Sequence, residues 1–139
     1  MYKHTQVGWV MIIAAAILIV VVPLISFTNS IVGCAIGVLI GVLFSSLTVC
    51  VDREQVTIRF GIGIIRKRIL LAEVVSYKVV KNKWWWGWGI HGCHGKACLY
   101  NVSGFDSIEL TMKNGMKYLI GTDEPDKLCG AIKEAKEGL

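Results

Sequence analysis

Charge is what the amino-terminal part of this sequence lacks. No acid precedes Asp52, and Lys3 is the only lysine or arginine before it. Uncharged stretches of this length are rare in soluble cores. Proline is scarce, with Pro23 and Pro125 alone, and there is neither a low-complexity linker nor an internal repeat. Catalytic motifs are missing too. Gly61-Ile62-Gly63 lacks the third glycine and the following helix of a dinucleotide loop. Tyr100, Asn101 and Ser103 have no base or orienting third group that the sequence can name, so Asn101 and Ser103-Gly104 read as turn residues. Glu73, Asp106 and Glu109 are isolated acids, read as solvated. These absences argue against an enzyme and against any bound cofactor.

What is there is apolar sequence. Two runs, about 7–27 and 31–51, each have the roughly 20 residues that a bilayer-crossing helix needs. Pro23 and then Thr28-Asn29-Ser30 separate them, proline limiting the first helix and asparagine favouring a turn. The expectation is a transmembrane helical hairpin over residues 1–51. A signal peptide would have a shorter apolar core and a small-residue cleavage site. Gly33, Gly37 and Gly41 recur every fourth residue and so share one helical face, where another backbone can approach closely. The partner is either the first helix, through Ala14-Ala15-Ala16, or a second copy of the chain; the short turn favours the first.

Lys3 precedes the first run, and Arg53, Arg59, Arg66, Lys67 and Arg68 follow the second. The positive-inside rule then places both termini in the cytoplasm of a two-pass inner-membrane protein, with Tyr2 and Trp9 at the interface. The net charge of +5 lies almost wholly beyond residue 51. It suits attraction to anionic membrane lipids and is too modest to indicate nucleic acid. Of the five cysteines, Cys34 and Cys50 fall in the apolar runs, and Cys93, Cys98 and Cys129 would face a reducing compartment; no disulfide framework is expected.

Residues 52–139 read as one small domain of six or seven strands and a closing helix. Val56-Thr57-Ile58-Arg59-Phe60 alternates as a half-buried strand does, Ile64 to Leu71 returns, and Glu73 to Val80 follows. Ala97 to Val102 is a further strand. Asp106 to Met112 would put Ile108, Leu110 and Met112 on the core face. Asn114-Gly115 is the preferred type I′ pair before the return strand Met116 to Ile120. Thr122-Asp123-Glu124-Pro125 starts a helix that carries Leu128, Ile132 and Ala135 on one side.

Three segments, Trp84-Trp85-Trp86-Gly87-Trp88-Gly89-Ile90, Leu99-Tyr100-Asn101-Val102-Ser103-Gly104 and Gly121-Thr122-Asp123-Glu124-Pro125, resemble those of small bacterial membrane proteins with a pleckstrin-homology-like domain. The resemblance covers most of 52–137. It implies a bent antiparallel sheet closed at one end by the carboxy-terminal helix. His91 to Cys98 stands where the family has a plainer segment.

Four groups of residues are candidates for function. Trp84, Trp85, Trp86 and Trp88 suit a membrane-dipping loop or a partner contact, and at least one of these rings is expected outside the core. Arg66, Lys67, Arg68, Lys81 and Lys83 suit lipid headgroups, or serve as a solvated edge. Gly33, Gly37 and Gly41 suit helix packing. His91, Cys93, His94 and Cys98 have the composition of a metal site without its usual spacing. The reading that follows is a membrane-anchored interaction or scaffold module binding a protein or peptide, a headgroup or its own copies. The alternative is a metal-binding or redox-sensing protein, or an enzyme, built on loop 91–98.

Overall fold

A computed structural model describes the chain except for residues 26–29, 84 and 86. Among the described residues the order is β1 (Tyr2–Val7), α1 (Trp9–Ile25), α2 (Ser30–Phe44), β2 (Ser46–Val51), β3 (Gln55–Phe60), β4 (Ile65–Leu70), β5 (Val74–Lys81), β6 (Gly89–His91), β7 (Ala97–Asn101), β8 (Asp106–Met112), β9 (Lys117–Gly121) and α3 (Pro125–Glu137). The turn expected at Thr28-Asn29 lies outside the described residues.

The transmembrane hairpin is overturned. Among the described residues no helix is long and apolar enough to cross a membrane. α1 has 17 residues and α2 has 15, which at 1.5 Å per residue rise about 25 and 22 Å, short of the roughly 30 Å hydrocarbon core. The reason lies at the ends of the apolar runs. Leu47, Val49 and Val51 alternate with Ser46, Thr48 and Cys50, and this period-two pattern forms β2 instead of extending α2. Tyr2 to Val7 pairs with it antiparallel, from Tyr2 opposite Val51 to Val7 opposite Ser46. The two-pass inner-membrane placement, with both termini in the cytoplasm, falls with the spans.

The single bent antiparallel sheet is also corrected. There are two sheets, β1-β2-β3-β4 and β5-β8-β9-β7-β6, and β7 runs parallel to β9. The first sheet includes strands on both sides of residue 52. Alternate residues of each sheet meet in one core, with Val49, Ile58, Phe60 and Ile69 from the first and Tyr100, Ile108 and Leu110 from the second. Leu128 and Ile132 of α3 close that core. The hairpin between β8 and β9 is not the expected type I′. That turn needs φ above zero at both central residues, whereas the positive φ here belongs to Gly115 and not to Asn114. Met112 N bonds to Met116 O at 2.8 Å, leaving a three-residue loop, and the Asn114 carboxamide oxygen accepts from Met116 N.

Gly8 and Ser45 mark the foot of the helical hairpin, joined by a bond from Gly8 N to Ser45 O at 2.7 Å. The two helices pack through the glycine face. A Cβ on Gly33 would lie 2.2 Å from Val22 Cγ1, and one on Gly37 would lie 2.9 Å from Ile19 Cγ1. Ala15 backs Gly37 and Gly41 and is itself buried. The stripe therefore faces α1 of the same chain.

Candidate functional site

Outside its contact seam the helical hairpin is exposed and apolar. Ile13, Ile17, Val20 and Leu24 on α1, and Ile31, Val32, Ile36 and Leu39 on α2, stand open. Neither helix contains Asp, Glu, Lys, Arg or His. No polar face opposes the apolar one. Amphipathic helices docked on a protein core carry such a face; these do not. At the hairpin foot Trp9 opens α1 and is exposed. Tyr2, expected at an interface beside it, sits at the other end of β1 and packs on the core.

The aromatic segment divides. Trp85 is 61% exposed, with Lys83 Nζ 5.1 Å from its ring centre. Trp88 is half-buried and meets the Phe105 ring at 6.1 Å. Trp84 and Trp86 lie outside the described residues. The basic residues divide as well. Strand alternation exposes Arg66 and Arg68 and turns Lys67 inward, where its ammonium lies 5.3 Å from the Tyr118 ring. Lys81 ends β5 and Lys83 follows it, whereas Arg66, Lys67 and Arg68 lie on β4 of the other sheet.

Loop 91–98 does not gather its four candidate ligands. Cys93 and Cys98 form a disulfide, contrary to the expectation of reduced thiols, and a disulfide sulfur is not a thiolate ligand. Cys98 is buried at the start of β7. The His91 Nε2–H donates to the Trp88 carbonyl at 2.6 Å. Among the described residues no group of three or more His, Cys, Asp or Glu could hold a metal ion.

A polar cluster that the sequence did not suggest links β1 to the start of α3. His4 Nε2 lies 2.6 Å from Asp123 Oδ1, and Nδ1 lies 3.4 Å from Glu124 Oε2. Lys127 reaches Glu124 at 2.6 Å. Nearby, the Tyr2 hydroxyl is turned toward the Glu124 and Asp123 carboxylates. Burial first, and then the negative charges of Glu124 and Asp123, push its pKa from 10.0 up to about 12. The folded state thus favours neutral Tyr2. Its contribution to stability is complete below pH 10 and is lost as pH rises toward 12. Tyr2→Phe is expected to remove that loss. Denaturant titrations across this pH range check it; a Tyr2→Phe protein that loses stability as the parent does would refute the assignment.

No family model, curated protein or solved structure matches the chain.

Proposed function

We propose that the chain is a non-catalytic interaction module that rests on a lipid surface. Its helical hairpin enters the near leaflet and returns without crossing. The observation that carries this reading is the hairpin surface, apolar on every open side and free of charge. An all-round apolar pair requires an apolar surrounding, which hydrocarbon supplies. Helices of about 25 and 22 Å exceed one leaflet, roughly 15 Å deep, so the pair would enter tilted. The positive excess of +5 supports a preference for anionic headgroups. A catalytic or metal reading draws no comparable support, since the loop that prompted it does not bring its side chains together.

Flotation tests the proposal. The full chain, synthesised cell-free beside vesicles of phosphatidylglycerol and phosphatidylcholine, is expected to rise with the vesicles on a density gradient. A chain that stays in the aqueous fraction, or forms a discrete oligomer without lipid, would overturn it; in the second case a further copy is what covers the hairpin.

A further inference from the structure

We infer that the lipid contact extends beyond the hairpin, to a collar made by the β3–β4 turn and the β7–β8 turn around its foot, seated among anionic headgroups. The inference rests on the lipid-surface reading above. The β3–β4 turn is pressed on the end of α2. Gly61 N donates to Ser46 O at 2.8 Å, and a Cβ on Gly61 would lie 2.1 Å from Val42 O. That turn presents Ile62 and Ile64, 70% and 67% exposed. Hairpin turns in water favour Gly, Asn, Asp and Ser; two open isoleucines there need a reason.

The β7–β8 turn reaches the same foot from the other sheet. Gln6 Nε2 donates to Ser103 O at 2.9 Å, and a Cβ on Gly8 would lie 3.1 Å from Val102 Cβ. This turn presents Phe105, 47% exposed. Two turns distant in sequence thus bring bulky apolar side chains to the base of an apolar hairpin, beside exposed Trp9. Single exposed apolar residues are ordinary, whereas a set continuous with a larger apolar surface marks one interface.

Cations accompany both turns. Arg59 pairs with Arg66 one step from the β3–β4 turn, and both are exposed. Lys81 and Lys83 flank Asn82, whose N–H bonds to Phe105 O. Asp106 stands opposite Lys81. Apolar tips backed by cations match an anionic bilayer, with acyl chains below and phosphates around. The same composition would be costly against a protein core, which leaves such cations without partners.

Brominated-lipid quenching in the full chain tests the collar. Ile62→Trp adds a reporter to the turn, and Leu70→Trp adds one at the far end of β4. Both substitutions are at exposed positions, and parent emission is subtracted. In vesicles of phosphatidylglycerol and phosphatidylcholine brominated near the headgroup, most of the emission added by Ile62→Trp should be lost and that added by Leu70→Trp kept. The loss should shrink in phosphatidylcholine alone. Floating vesicles with equal emission at both sites would overturn the collar and leave the lipid-surface reading standing. Quenching independent of phosphatidylglycerol would overturn its headgroup component. A chain that does not float at all would overturn both.

Discussion

Phe60→Ala is expected to destabilise the fold by about 3–5 kcal/mol, the range for removing a fully buried aromatic ring. The ring is 1% exposed and stands where three parts of the chain meet. It packs edge-on to Phe44 at the end of α2, with centroids 5.5 Å apart, and tilted to Tyr100 of the second sheet at 6.1 Å. Truncation opens a cavity between both sheets and the foot of the hairpin, and none of the three can close it without moving the other two. Phe60→Leu keeps most of the volume and should cost under about 1.5 kcal/mol after repacking. Denaturant unfolding followed by near-ultraviolet dichroism measures both variants. Near-equal losses would show that the junction is loosely packed and that Phe60 does not hold it.

Gly61→Ala is expected to cost about 2–4 kcal/mol, and Gly63→Ala in the same turn only about 1 kcal/mol. Both glycines have positive φ, +48° and +88°, so alanine is conformationally disfavoured at either. The difference is the neighbour. At Gly61 a Cβ would meet the backbone oxygens of Val42 and Leu43 at 2.1 and 2.8 Å, while at Gly63 nothing lies within 4 Å. Backbone oxygens at a helix end cannot rotate away as a side chain would. Relief therefore requires the turn to separate from α2, and Ile62 and Ile64 go with it. Equal stability losses in the two variants would mean that the turn is held by its own geometry and not by the helix.

Much of the β-module was legible in the residues themselves. Alternation at Val56–Phe60 and Asp106–Met112 forms β3 and β8, with Ile108, Leu110 and Met112 buried on the expected side. The period of Leu128 and Ile132 set the buried face of α3. The candidate sites were less legible. The Arg66-Lys67-Arg68 run looked like one patch, but a strand sends successive side chains to opposite faces. The His and Cys residues looked like a ligand set, but ligation depends on where the backbone aims them. Ile62 and Ile64 are legible in the sequence as apolar bulk on both sides of a turn glycine.

By itself the sequence determined that the amino-terminal helices would be apolar and uncharged, that the glycine stripe would lie on one face, and that a basic strand-rich body would follow. Those features depend on residue chemistry and on spacings of two to four residues. Only the tertiary structure decided where α2 stops. Leu47, Val49 and Val51 are as compatible with a helix as with a strand until Tyr2–Val7 and Gln55–Phe60 supply hydrogen-bonding partners on either side. It also decided the parallel pairing of β7 with β9 and the meeting of two distant turns at the hairpin foot, because such contacts depend on strand register and packing between segments far apart in the chain, which local patterning does not encode.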